Sequence, residues 1–289
     1  MAELNRNQLV HVELGNFMIG QALMNIHAIW LWVGGLLIVG FFKTEKQYRP
    51  IAFMFAFAFI LFIMGKAKDY YTLGLYPILF AVGAYEMEKY GQVFVKKAFP
   101  VLMIAIALPF IPIGLPVFNH YDMAAYFQKI KPIIGDGFLR WEDGKIHDMT
   151  QDYADMTGWK DMYNLVRQAY ESLSEDEKTA CVIYGENYGQ AGAIAVFNKD
   201  KKLPYPISFS DNFLYWLPDS INVKAFIYMN DEEGDIHQLF NSVTLFGEVT
   251  TPFAREKGLK VYICREPKPL LYPFYKQKLE SIKAKRVFK

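Results

Sequence analysis

The chain of 289 residues sets 31 Lys and Arg against 30 Asp and Glu, a net charge of +1, so no nucleic acid is expected as partner. Hydrophobic residues reach 53% and aromatic residues 17%, both high for a soluble protein, although 21% charge and a mean hydropathy of +0.07 would suit one. The averages conceal two unlike parts, with apolar runs before about residue 118 and a mixed pattern after it.

Residues 1–25 open with MAELNRNQLVHVELG, which lacks the basic n-region and compact apolar core of a cleaved signal. They are expected to form an extracytoplasmic or interfacial segment, with the chain inserted by its own spans. A transmembrane region is expected over 26–118, with spans near 26–42, 50–65, 70–87 and 99–118. The third is short, since its apolar core runs only from Leu73 to Tyr85. It reaches the roughly 17–25 residues of a full span only if Tyr70 and Tyr71 extend it into the interface. Lys43, Lys46 and Arg49 lie between the first two segments, and Lys89, Lys96 and Lys97 between the last two. Positive residues stay cytoplasmic, so the loop Lys66–Tyr71 and everything beyond Phe118 face outward, after four crossings. Lys66 and Lys68 are then exceptions on the outer face, which favours a functional reason for them.

From 119 to 289 the pattern becomes an α/β alternation. Trp159, Met162, Leu165, Val166, Ala169, Tyr170 and Leu173 recur at helical spacing. Strands are expected at Cys181–Tyr184, Ala225–Met229, Val243–Val249 and Leu259–Cys264, with a helix on small residues over Gly189–Phe197 and a helical turn near Ile236–Phe240. Alternation of this kind predicts a parallel, three-layer α/β domain. Cys181 and Cys264 lie in apolar strands, as buried structural residues or as a disulfide pair if their compartment is oxidising. No His and Cys spacing calls for zinc, so no metal is expected.

Lys66, Lys68, Tyr70 and Tyr71 are the first candidate site. Two cations and two phenols at a membrane boundary, beside apolar runs, can meet a lipid phosphate: lysine as a point charge, tyrosine as a donor on an amphipathic body. The same residues also suit an interfacial anchor with snorkelling lysines. Glu186, Asn187, Tyr188 and Gln190 follow a predicted strand in Gly185-Glu-Asn-Tyr-Gly-Gln-Ala-Gly192. That glycine spacing is neither GxGxxG nor GxxxxGK, so it reads as a tight strand-to-helix turn, and no nucleotide cofactor is expected. These four residues are still candidate acceptor or sugar contacts, because loops at the carboxyl ends of parallel strands are the usual ligand side. Asp152, Asp155 and Asp161 surround a helix start as capping acids, with Trp159 as a sugar-stacking alternative. Trp216, in Ser208-Phe-Ser-Asp-Asn-Phe-Leu-Tyr-Trp216, belongs to a polar-aromatic loop suited to carbohydrate or to a membrane interface.

The run Lys68-Asp-Tyr-Tyr-Thr-Leu-Gly-Leu-Tyr-Pro77 resembles the GK-x-YY-x-L-x-x-YP loop of family 39 and aminoarabinose-transferase-like membrane glycosyltransferases, the GT-C type that uses polyprenyl-phosphate sugars. Ala67 stands where that family usually has glycine. Gln151-Asp-Tyr-Ala-Asp-Met-Thr-Gly-Trp159 and Tyr184-Gly-Glu-Asn-Tyr-Gly-Gln-Ala-Gly-Ala-Ile194 look like the C-terminal extracytoplasmic domain of bacterial members. The resemblance implies the C-terminal half of such an enzyme in a bacterial inner membrane, with its soluble domain outside. It assigns Lys66, Lys68, Tyr70 and Tyr71 to the donor phosphate and implies inversion at the sugar carbon. The family's acidic base lies in an early loop with no counterpart here, and Glu13 matches no such motif. The catalytic residue is thus unassigned. The expected alternatives are a non-catalytic, membrane-anchored binding or assembly subunit, or one half of a split transferase whose other half is a separate chain. A soluble hydrolase is disfavoured because no GxSxG elbow is present.

Overall fold

The computed structural model describes residues 14–41 and 43–287, so Glu13, Phe42 and most of the expected N-terminal segment lie outside the described residues. The chain is mostly helical, with a small mixed sheet of four strands, and divides into two compact units, Met1–Val117 and Phe118–Lys289.

In the first unit, α1 (Leu14–Met24) breaks at Asn25, and a 3₁₀ turn at Ile26–Ala28 leads into α2 (Ile29–Phe41). The two parts, Phe17–Met24 and Ile26–Phe41, are bent by 65° and together are apolar enough for one span. Next comes α3 (Arg49–Met64), which opens with Pro50 in its first turn, where a missing N–H costs nothing. With the turn before it, the helix Lys46–Met64 is 19 residues long and has a hydropathy of 1.6. The expected third span departs from a simple helix. Residues Asp69–Leu75 form a 3₁₀ turn, and α4 (Tyr76–Tyr90) starts at the Tyr-Pro step. Pro77 belongs in a first turn, so the helix restarts there. At 15 residues α4 is below spanning length, and Glu86, Glu88 and Lys89 occupy its end. The last apolar helix begins earlier than the expected 99. It contains α5 (Val93–Ala107) and runs on to Gly114, 22 residues with a hydropathy of 1.9. Gln92 is extended before it, and Leu115, extended ahead of Pro116, ends it. Among the described residues two helices, or three if the bent pair is one span, are thus long and apolar enough to cross a membrane.

Helices α2 and α4 pack antiparallel through small residues. A Cβ on Gly35 would run into the backbone carbonyl of Leu79, and one on Gly83 into that of Leu31. Glycines at such a crossing let two backbones approach closely. Phe55, Tyr76 and Leu79 form the buried centre beside this pair, with Trp32 edge-on to Tyr76 at 5.3 Å.

The second unit starts at α6 (His120–Ile134), capped by Asn119, whose side chain accepts from the Tyr121 and Asp122 N–H groups at 3.0 Å each. Helix α7 (Trp159–Glu171) buries Met162, Val166 and Ala169 of the stripe that the helical spacing predicts, and Tyr163 beside them. Then follow β1 (Cys181–Gly185), α8 (Tyr188–Phe197), β2 (Ala225–Asn230), β3 (Phe240–Glu248), β4 (Lys260–Pro267) and α9 (Leu271–Val287). The sheet order is β1-β2-β4-β3, and only β1 and β2 run parallel; β4 is antiparallel to both its neighbours. The all-parallel expectation fails because a parallel step needs a helical crossover. One exists between β1 and β2, where α8 lies. The segments 231–239 and 249–259 carry nothing longer than the turn Gly234–Gln238.

Alternation along the strands sends Ile183, Ile227, Val261 and Ile263 to the face covered by α7 and α8. Phe226, Tyr228, Tyr262 and Cys264 point to the other face, with Phe240 and Leu271. Beside them Ile207 and Leu217 pack on Tyr275 and Leu279 of α9. The edge of β1 is covered by the 207 segment, through Ile207 N–H to Ile183 O at 2.9 Å and Gly185 N–H to Ile207 O at 3.0 Å. Cys181 and Cys264 are unpaired, buried on opposite faces, and separated by β2. Two strand spacings, about 9–10 Å, exceed the reach of a disulfide, so the pairing alternative is excluded.

Candidate functional site

The loop after α3 is made by a helix end of defined shape. The Ala67 N–H returns to Phe62 O at 2.9 Å and the Lys66 N–H to Ile63 O at 3.1 Å, the two bonds of a Schellman ending. That ending needs a left-handed residue just after the cap. Here it is Lys66, with φ of 47°, although Gly65 is one position away. Lys66 thus takes on backbone strain that a glycine in its place would avoid. Ala67 is buried, and Lys68 is half-buried and extended. The Lys68 ammonium sits 6.0 Å from the Tyr70 ring centre, and the Tyr70 and Tyr71 rings meet edge-on at 4.8 Å. Both tyrosines are about half exposed, at 48% and 52%. Tyr70 thus meets both Lys68 and Tyr71, and Lys66 is exposed at the helix end just before them.

Behind this loop lies a cluster that the sequence reading missed. Gln21 Oε1 accepts hydrogen bonds from Thr72 Oγ1 and, at 2.7 Å, from Tyr76 Oη. Asn25 Nδ2 donates to Gln21 O at 3.1 Å. All four residues are buried. Its signal in the sequence is Gln21 and Asn25, four apart within Phe17-Met-Ile-Gly-Gln-Ala-Leu-Met-Asn-Ile26, just ahead of the expected first span at 26–42.

In the second unit, the turn after β1 uses its polar residues on itself. Asn187 caps α8 by accepting from the Gln190 N–H at 2.9 Å. Gln190 is buried; its Oε1 accepts from the Glu186 N–H at 2.9 Å and its Nε2 donates to Glu256 at 3.1 Å. Asn187 and Gln190 are thus committed to the turn, whereas Glu186 and Tyr188 are exposed. Burial pushes the Glu256 carboxyl up, against the hydrogen bond from Gln190 that lowers it. The glycines follow from packing. A Cβ on Gly185 would meet Ala191 N at 2.9 Å, and one on Gly189 would meet the Trp159 ring at 3.0 Å. Trp159 covers that turn and donates from Nε1 to Asp155 O at 2.5 Å. Asp161 accepts from the Thr250 and Thr251 N–H groups and from Thr251 Oγ1 at 3.0–3.1 Å. Asp155 pairs with Arg255 at 3.3 Å.

Trp216 ends the 3₁₀ turn Asp211–Trp216 and is 59% exposed, edge-on to Phe213, which stacks on Tyr205. The turn Asp211–Trp216 packs against α8. Among the described residues no three His, Cys, Asp or Glu side chains gather as a metal site. No protein-family model, curated protein or solved structure matches this chain.

Proposed function

We propose that the chain is part of a membrane glycosyltransferase that takes a sugar from a polyprenyl-phosphate donor and passes it to an extracytoplasmic lipid, glycan or protein acceptor. In this reading the region 26–118 crosses a bacterial inner membrane four times, with Asp69–Leu75 and α4 together making the third crossing. Residues 119–289 are then an extracytoplasmic three-layer α/β domain. The observation that supports the reading is the segment Lys66–Tyr71, which follows the end of an apolar helix and carries two lysines and two half-exposed tyrosines, with Tyr70 against both Lys68 and Tyr71. Lys68 and Tyr71 hold the donor phosphate and stabilise it as the leaving group once the bond to the sugar breaks. The base that takes the acceptor proton is assigned to no carboxylate here. Glu186, Tyr188 and Trp216 remain the groups open to an acceptor.

A second reading is a non-catalytic binding or assembly subunit, or one half of a split transferase whose partner carries the base. It is favoured by Asn187 and Gln190, whose polar atoms serve the turn and Glu256 rather than an acceptor. Binding of a polyprenyl phosphate to the full chain in nanodiscs tests what both readings share. Lys68→Ala is expected to weaken it about tenfold, the scale of one charge-assisted hydrogen bond, and Tyr71→Phe by somewhat less. Unchanged affinity in both variants overturns the donor site.

A further inference from the structure

Gln21, Thr72 and Tyr76 are well placed for a role that the donor-site reading leaves unassigned. The loop Lys66–Tyr71 is fixed at its entry by backbone bonds to α3, from Lys66 and Ala67 to Ile63 and Phe62. Its exit is Thr72, fully buried, whose hydroxyl donates to Gln21 Oε1. One turn on, Tyr76 Oη donates to the same oxygen at 2.7 Å. A carbonyl oxygen has two lone pairs, so two hydroxyls on one oxygen define the orientation of both. Gln21 is itself held, because α1 breaks at Asn25, whose side chain donates to the Gln21 backbone carbonyl at 3.1 Å. Hydroxyls buried among apolar side chains keep an acceptor at strong cost to losing it, so the tie does not exchange freely with water.

We infer that Gln21, acting through Thr72 and Tyr76, is the positioning residue of the phosphate loop. This rests on the donor-site reading above. Tyr71 directly precedes Thr72, so displacement of the exit moves its hydroxyl and, one turn back, the Lys68 ammonium. The ligand class is a lipid bearing a phosphate: the loop supplies the donors, and Gln21 supplies their register. Small misplacements of such donors cost binding far out of proportion to their size.

The test uses the full chain in nanodiscs, with a polyprenyl phosphate and the matching polyprenol as probes. Thr72→Val keeps the shape and removes the hydroxyl; Thr72→Ser restores it. Expected is a loss of about tenfold in affinity for the phosphate in Thr72→Val, with polyprenol binding unchanged and Thr72→Ser within about twofold of the parent. Equal loss for both probes would make the tie merely structural and overturn the inference. So would parental affinity in Thr72→Val while Lys68→Ala loses the phosphate, an outcome that leaves the donor site standing. If Lys68→Ala also changes nothing, the donor site falls and this inference with it. Should Thr72→Val fail to fold, Tyr76→Phe removes the second hydroxyl, keeps the ring, and carries the same expectations.

Discussion

Glu177 Oε1 accepts from the Arg265 guanidinium at 2.5 Å, while its Oε2 takes the Ser174 N–H and hydroxyl at 2.8 and 2.9 Å. Arg265 and then Ser174 hold its carboxyl down to about 2, and the pair ties the capped turn Glu175–Lys178 to β4. A depressed carboxylate contributes stability that is present above its ordinary value of 4.5 and lost as the pH falls toward 2. Glu177→Gln is expected to cost about 1 kcal/mol at neutral pH, kept small because both side chains are partly exposed. It should also flatten the fall in melting temperature between about pH 5 and pH 3. Thermal unfolding at both pH values checks this; equal acid sensitivity in parent and variant contradicts it. Burial pushes the Cys181 and Cys264 thiols up to about 12. Neither should label with maleimide at neutral pH until the chain is denatured, and mass spectrometry of native and unfolded samples reads that directly. Lys68 and Tyr71 were legible as a candidate site because cations beside phenols between apolar runs stand out. Asn187 and Gln190 were legible as part of a strand-to-helix turn, whereas their individual partners were not, since a capping amide and a ligand-binding amide look alike in sequence.

At the level of elements, the crossing of α2 and α4 depends on two glycines and not on their neighbour. A Cβ on Gly83 meets the Leu31 backbone, whereas one on Gly34 meets nothing within 4 Å. Gly83→Ala should destabilise the first unit by about 1–3 kcal/mol through overpacking, and Gly34→Ala should be neutral or stabilise by a few tenths of a kcal/mol to about 1. Denaturation of the purified chain in detergent compares the two; equal effects would mean that α2 and α4 do not pack this way. A helix start was legible where chemistry is strong, as at Pro50. The third apolar segment misled because composition does not register a break: Tyr76-Pro77 restarts the helix and leaves Asp69–Leu75 as a 3₁₀ turn. Strand positions followed from apolar runs, but strand direction is set by the connections. The short links around β3 make it antiparallel, which alternation alone does not reveal.

Over the whole molecule, the two units differ in how they bury apolar surface. The α/β unit places its large side chains inside, on both faces of its sheet. The helical unit leaves Phe53, Met54 and Phe57 of α3 open, and α5 buries none of its side chains. Apolar surface on that scale needs a non-aqueous surrounding or a partner, which supports reading these helices as membrane spans. The composition hid this contrast, because a net charge of +1 and a mean hydropathy of +0.07 average over both units. The division near residue 118 was legible from the change in pattern; the buried link from Gln21 to Thr72 was not, because it joins positions far apart in sequence. The central claim is that Lys66–Tyr71 receives the phosphate of a polyprenyl lipid. Its most direct test is photocrosslinking of the full chain in nanodiscs with a polyprenyl phosphate carrying a diazirine in its first isoprene unit, followed by peptide mapping. The account predicts adducts between residues 62 and 80, lost in Lys68→Ala and competed by unlabelled polyprenyl phosphate but not by polyprenol. Adducts spread evenly over the apolar helices, or unchanged in Lys68→Ala, would contradict it.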